Sequence, residues 1–338
     1  MTALQIAGEL TTAGASSDPQ AGPFGLDLLD FELPEFSRVS WVDDRAREVW
    51  RPRLERIFAA WMEVETLAVS AGLRPCGVST VSAEALPAAA ARHARRGLST
   101  LPVAIQRATN YGYSNSSTAP ILGEPFLYRI VVGTPQSVSA MQAAWDACDD
   151  EAIGRLLGYP DCCRRFFRRV WVDHGLRDTT WPMALASRPD AGAARLIEAD
   201  GPPQANILWR WMGVRAVSHL PCSFDCRATV ELADALLQAG REAGYAEEMD
   251  WILEILDWPA QWSALHGIAE IKTPLLKVSA NTDATASLYV VRRTGGGYPA
   301  EGAKGLSFPY RLPHAPRLTS SRRYQSGLAN PLPIVGQD

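Results

Sequence analysis

Long apolar runs, a secretory leader and lysine are largely missing from this chain of 338 residues. No stretch reaches the roughly 20 consecutive apolar residues of a transmembrane helix, so no membrane span is expected. Met1 to Gly25 has no basic segment followed by an apolar one, which predicts no secretory signal and a cytoplasmic protein. The net charge of −4 gives no overall attraction to nucleic acid, so nucleic acid is an unfavoured partner.

Lysine is scarce: only three of the 33 basic residues are lysines, and the rest are arginines. Two of the three, Lys272 and Lys277, lie five positions apart in one strand-like segment. Where arginine is the default basic residue, a lysine indicates a position that needs an ammonium group or a titratable amine. The same segment ends in a polar loop at Asp283, a frequent position for substrate contacts.

The composition predicts a mixed α/β (α+β) protein, dominated by helices and with a small sheet. We expect a flexible arm over residues 1–36, a single globular domain over 37–295 and a loosely ordered tail over 296–338. The motif-bearing part of the domain covers about 125–295.

Periodicity and breaker residues locate the expected elements. Helices are predicted at Val42–Ala71, Leu86–Arg96, Ser137–Cys148, Asp149–Leu157, Cys162 to about His174, Ser223–Gly240 and Tyr245–Leu256. Strands are predicted at Phe126–Val132, Gly267–Ser279 and Ala286–Arg293. Trp209–Val217 fits either a strand or a helix.

Four of the six cysteines form two compact pairs, Cys162 with Cys163 and Cys222 with Cys226. In a reducing cytosol, paired cysteines in a long chain indicate a metal or catalytic site rather than a disulfide framework. The two remaining cysteines, at 76 and 148, are isolated and are expected to be buried and inert.

Both pairs are predicted at helix N-termini, where free amide groups favour the thiolate form. Pro160 is expected in the first turn of one helix, and Ser223 is expected to be the N-cap of the other. Neighbouring residues on a helix diverge by about 100°, so Cys162 and Cys163 fit one small tetrahedral ion poorly. A larger iron–sulfur cluster is favoured, held by Cys222, Cys226 and one or both of the adjacent cysteines.

The leading hypothesis is therefore an enzyme with a 4Fe–4S cluster that keeps one iron open for sulfur transfer or Lewis-acid chemistry. It would act on a small anionic substrate, with an electron-donor or sulfur-donor protein as a possible partner. Two sets of candidate residues accompany the cysteines. The catalytic candidates are His219, Lys272 and Asp283. The substrate-binding candidates are Arg164, Arg165, Thr273 and Lys277.

Two alternatives remain. In the first, the cysteines hold a structural zinc ion in a binding module that contacts RNA or a protein partner through the arginine-rich segment after Cys163. In the second, Cys162 and Cys163 form a redox dithiol, which the strained ring of an adjacent pair disfavours. His219 fits a ligand, a proton shuttle beside the cluster or a hydrogen-bonded core histidine, and the core role has as much weight as the other two together.

The motifs Leu-Gly-Tyr-Pro-x-Cys-Cys at 157–163 and His-x-Pro-Cys-Ser-x-x-Cys at 219–226, with Ile-Lys-Thr-Pro at 271–274, also carry a resemblance. The chain resembles a microbial, largely archaeal family known only as a domain of unknown function, over roughly residues 125–295. The resemblance implies that the four cysteines belong to one site, and it implies no reaction.

Overall fold

The computed structural model describes residues 22, 24–29, 37–107, 126–192, 194–284 and 286–302. Most of the expected N-terminal arm and the tail from residue 303 onward lie outside this part of the chain. Within it, helix accounts for 46% and strand for 21%. The predicted mixed α/β class with a predominance of helix is confirmed.

The described residues form eight α-helices. They are α1 Asp44–Ser70, α2 Leu86–Arg95, α3 Pro135–Asp146, α4 Asp150–Leu156, α5 Asp161–Phe167, α6 Thr180–Ser187, α7 Arg227–Glu242 and α8 Ala246–Leu256. A π-helical segment, Arg168–Asp173, continues α5. None of these helices is long and apolar enough to span a membrane.

The nine strands in the described part of the chain form two sheets. The strands are β1 Ser37–Trp41, β2 Cys76–Ser82, β3 Ser99–Arg107, β4 Phe126–Gly133, β5 Leu196–Glu198, β6 Ala260–Leu265, β7 Ile268–Lys272, β8 Leu276–Asn281 and β9 Tyr289–Arg293. One sheet has the order β1-β8-β7-β6-β9-β5 and is antiparallel except for the β5–β9 pair, and the other is an antiparallel β2-β4-β3 sheet.

Two expectations about strands need correction. The strand predicted over Gly267–Ser279 is two antiparallel strands, β7 and β8, joined by a tight turn at Thr273. The ambiguous segment Trp209–Val217 is neither a strand nor an α-helix, and it contains one 3-10 turn at Arg210–Met212.

The described residues form one large core and two smaller clusters; the first of these is the small core, and the second consists of Val69, Leu98, Ile130 and Val132. The large core packs α1, α7, α8 and one face of the six-stranded sheet around buried tryptophans, among them Trp61, Trp209 and Trp262. The small core lies between the three-stranded sheet and α3, and it reaches Leu157 at the end of α4. The segment that includes the first cysteine motif begins at Leu157 in the small core and ends at Phe166 in the large core. The first cysteine motif therefore links the two cores.

Candidate metal centre

The turn between α4 and α5 presents the first cysteine pair. Gly158 ends α4 with a positive φ of 72°, and the amides of Gly158 and Tyr159 donate to the carbonyls of Arg155 and Gly154. This is a Schellman ending, which glycine makes without strain. Pro160 then occupies the N-cap position of α5, so Cys162 and Cys163 lie in its first turn, as the sequence predicted.

The second pair lies at the start of α7. The helix begins at Arg227 and Cys226 is its N-cap residue, so the expected N-cap role of Ser223 was wrong by three positions. The chain turns before the helix instead: Phe224 is completely buried, and its amide donates to Ser187 Oγ at 2.7 Å. The buried phenyl ring anchors the loop that carries Cys222 and Cys226.

The four cysteine sulfurs meet at one point, and all of them lie within 4.8 Å of one another. The Sγ–Sγ distances are 3.8 Å for Cys162–Cys163, 3.7 Å for Cys162–Cys226 and 3.6 Å for Cys163–Cys226. Cys163 and Cys226 are buried, whereas Cys162 and Cys222 are partly exposed. A soft site of four sulfurs can hold a metal ion or an iron–sulfur cluster.

The expected divergence of the adjacent cysteines does not occur. Although Cys162 and Cys163 are neighbours in the first turn of α5, both sulfurs face Cys226 at nearly equal distances. The side chains lean toward each other across the helix end, where no preceding turn obstructs their rotamers. All four cysteines named from the sequence therefore form the candidate metal centre.

The electrostatics of the sulfurs are unequal. Hydrogen bonds with Cys222 and Cys226, together with burial, raise the pKa of Cys163 far above its ordinary value. Hydrogen bonds from Cys163 and Cys222, with a further contribution from Thr229, hold the pKa of Cys226 well below its ordinary value. For Cys222, a hydrogen bond with Cys163 lowers the pKa, but Cys226 and burial raise it to about 12.

His219 is buried behind the sulfurs, and Thr229 lies between it and Cys163. Its Nε2 is 2.9 Å from Thr229 Oγ1, and Thr229 Oγ1 is 3.4 Å from Cys163 Sγ. Burial lowers the pKa of His219 to about 4, so the ring is neutral at neutral pH. The Tyr159 ring packs on the imidazole with centroids 5.2 Å apart. His219 contacts the site through Thr229, so its predicted catalytic role stays a prediction.

The two arginines predicted to bind substrate are engaged in local contacts. Arg164 donates to Glu151 at 2.8 Å and to the Tyr159 carbonyl at 2.6 Å. Both Arg164 and Arg165 also form ion pairs with Asp161. Arg164 thereby ties α4 to the start of α5, which fixes the turn that carries the first cysteine pair.

The four remaining candidates belong to the six-stranded sheet and its neighbouring loop. Lys272 and Lys277 both form ion pairs with Glu270, at 2.8 and 3.0 Å; burial opposes the effect, but the two lysines lower the pKa of Glu270. Thr273 is buried, and its hydroxyl closes the β7–β8 turn. The Asp283 carboxylate accepts from the Asp178 amide at 2.7 Å, and burial raises its pKa.

No hydrogen bond or ion pair in the described part of the chain joins these four residues to the cysteines. The structure therefore brings together the predicted ligands and His219, but not the lysines, Thr273 or Asp283. Of the isolated cysteines, Cys76 is buried as expected, whereas Cys148 is exposed, contrary to expectation.

Sequence reasoning missed Thr229, which contacts both His219 and Cys163. The available signal was its position three residues after Cys226, close enough to share one helix end. A threonine is common in helices, however, and the partner cysteine lies 66 residues away, so the contact depends on tertiary structure.

Gly201 offers a test of the second cysteine loop. A Cβ atom on Gly201 would lie 2.0 Å from the Phe224 carbonyl oxygen, so alanine must push the loop away. We expect Gly201→Ala to destabilise the protein by about 1–3 kcal/mol and to weaken metal binding. Gly297→Ala is the control, because nothing lies within 4 Å of its added Cβ. Thermal unfolding and metal titration of both variants check this. Equal behaviour of the two would show that the loop tolerates displacement.

Comparison with models of protein families, with curated proteins and with solved structures gave no match. The function of this protein is therefore inferred from the geometry of the four cysteines.

Proposed function

We propose that this protein binds one zinc ion through Cys162, Cys163, Cys222 and Cys226, and that the ion has a structural role. The observation that carries the proposal is the spacing of the sulfurs, 3.6–3.8 Å among Cys162, Cys163 and Cys226. A metal–sulfur bond of about 2.3 Å in a tetrahedron places the sulfurs about 3.8 Å apart. Three of the four sulfurs are thus already spaced for a single ion, and the Cys222 sulfur lies within 4.8 Å of each of them.

A 4Fe–4S cluster requires larger distances between the cysteine sulfurs. Each cysteine then binds its own iron and points away from the centre of the cube, which separates the sulfurs by on the order of 6 Å. The sulfurs of this site all lie within 4.8 Å of one another. The open-iron enzyme expected from the sequence would require both cysteine segments to move apart, so the structural zinc alternative is the better supported.

Complete thiolate ligation favours structure over catalysis. Structural zinc sites are closed by four protein ligands, whereas catalytic zinc sites keep one position for water or substrate. Here four sulfurs occupy the tetrahedron, and two of them, Cys163 and Cys226, are buried. The ion would carry a net charge of −2 with its ligands, and it would offer no free position to a substrate.

The proposed ion joins segments that are far apart in the sequence. Cys162 and Cys163 start α5, next to the small core, while Cys226 starts α7, which packs in the large core. A zinc ion between them would close a loop of about 60 residues and would hold the two cores together. Since Arg164 and Arg165 are paired with nearby carboxylates, the proposal does not extend to RNA binding.

Cobalt substitution tests the ligand set. Co²⁺ in a tetrahedral site of four thiolates absorbs strongly in the visible range, and the spectrum weakens and shifts when a thiolate is lost. We expect one Co²⁺ per chain, displaced by Zn²⁺, and an altered spectrum in serine variants of each of the four cysteines. Cys148→Ser should keep the original spectrum, because Cys148 is exposed and lies outside the site. Unchanged spectra in two or more of the four variants would overturn the ligand assignment.

A further inference from the structure

The metal centre has a polar neighbour that is completely enclosed by protein. Thr229 in the first turn of α7 has no exposed surface, and His219 is 4% exposed. Their contact is 2.9 Å, and the Thr229 hydroxyl also reaches Cys163 Sγ at 3.4 Å. Thr229 also hydrogen-bonds to Cys226, so it contacts both buried sulfurs of the site.

We propose that Thr229 and His219 are positioning residues for the metal, in which the Thr229 hydroxyl donates to the Cys163 thiolate and His219 Nε2–H donates to the Thr229 oxygen. The inference rests on the proposed metal site and deepens it. Groups that hydrogen-bond to metal ligands orient them and moderate their charge, and they contribute to affinity without touching the ion.

The direction of both hydrogen bonds follows from the number of protons. A metal-bound thiolate has no proton and can only accept, so the single hydroxyl proton of Thr229 must point at a sulfur. Threonine then has no proton left for the contact with His219. The proton of that hydrogen bond must therefore be the one on His219 Nε2. This assigns the tautomer of His219 in the metal-bound protein: Nε2 is protonated and Nδ1 is not.

The surroundings of the other ring nitrogen, Nδ1, are consistent with a tautomer that is set by the contact between Nε2 and Thr229. Nδ1 of His219 is buried and has no hydrogen-bond partner among the described residues. A buried polar atom without a hydrogen-bond partner costs free energy, so other contacts of the ring must stabilise this orientation of the imidazole. The Nε2–H···Oγ1 contact gains strength when Oγ1–H is polarised by an anionic sulfur, and the Tyr159 ring holds the imidazole in place.

The first test is the histidine tautomer in the unaltered, zinc-loaded protein. Nitrogen-15 NMR distinguishes protonated from unprotonated ring nitrogens, and His219→Gln identifies the signals of this residue among the five histidines. We expect a neutral ring with the proton on Nε2 in the zinc form. A proton on Nδ1 in a protein that holds one zinc would overturn the inference and leave the metal site standing.

The second test is zinc affinity, measured by competition with a chromophoric chelator. Thr229→Val keeps the side-chain shape and removes the donor, and we expect the zinc dissociation constant to rise about 10–100-fold with the stoichiometry unchanged. Thr229→Ser restores a hydroxyl and should return the affinity to within a few-fold of the original. Wild-type affinity in Thr229→Val would refute the positioning role. Absence of zinc from the unaltered protein would instead refute the proposed function.

Discussion

Replacing Cys226 with serine is expected to abolish stoichiometric zinc binding and to cause the largest loss of thermal stability of any single cysteine change. A ligand that binds only the folded state at about 1,000 times its dissociation constant adds about 4 kcal/mol. For a protein of this size, that loss lowers the unfolding midpoint by on the order of 10 °C. Cys226 is also the N-cap residue of α7, but its side chain makes no capping hydrogen bond, and serine is a favourable N-cap residue. The loss of stability in this variant therefore reports on the metal and not on the helix end.

Two other cysteines provide matched controls for this variant. Cys148→Ser changes an exposed residue and should alter neither metal content nor stability. Cys76→Ala changes a completely buried residue of the small core, and it should lower stability by the cost of a cavity while one zinc stays bound. Calorimetry with and without a strong chelator separates the two effects. If chelation leaves the unfolding midpoint of the unaltered protein unchanged, the ion has no structural role.

The second large effect is expected at Asp178, in the large core. Its carboxylate accepts from Arg210 and the Thr180 amide through one oxygen and from the Trp262 indole through the other, all at 3.0 Å. The side chains of Asp178 and Arg210 are 4% and 3% exposed. Asp178→Asn keeps the size but leaves a buried guanidinium without its counterion and turns an amide NH₂ toward another donor. We expect a loss of about 3–5 kcal/mol.

An exposed ion pair is the comparison for Asp178. Asp250 pairs with Arg241 at 2.9 Å, but its side chain is 67% exposed. Asp250→Asn should therefore cost less than about 1 kcal/mol, because solvent screens the pair. Chemical denaturation of the two variants measures both values. A cost for Asp178→Asn as small as that for Asp250→Asn would show that the buried network adds nothing to stability.

The sequence revealed seven of the eight α-helices of the described residues because their signals are local, and it missed α6. α1 and α8 have an apolar periodicity over several turns, and Gly72 and Gly158 follow helix ends with positive φ. Strands β1, β2, β3, β5 and β6 were missed. Their partners are distant in the chain or, as in β6 with Ala260 to Leu265, the segment contains residues without strong strand preference.

The same distinction applies to the site. The four clustered cysteines could be predicted, since two compact cysteine pairs in a long chain favour one common site. The kind of metal centre could not be predicted, because it depends on whether the sulfurs of Cys162 and Cys163 converge. Adjacent side chains on an ideal helix diverge. Lys272 and Lys277 stood out by their rarity, yet they pair with Glu270 on the sheet, a contact set by strand register.

Metal analysis of the protein purified without oxygen tests the central claim most directly. Zinc, iron and acid-labile sulfide are quantified per chain, together with the absorption spectrum. A single zinc ion held by Cys162, Cys163, Cys222 and Cys226 predicts a colourless protein with one zinc per chain and no sulfide. A brown protein with near-equal iron and sulfide would contradict this account and would establish a cluster at the four cysteines.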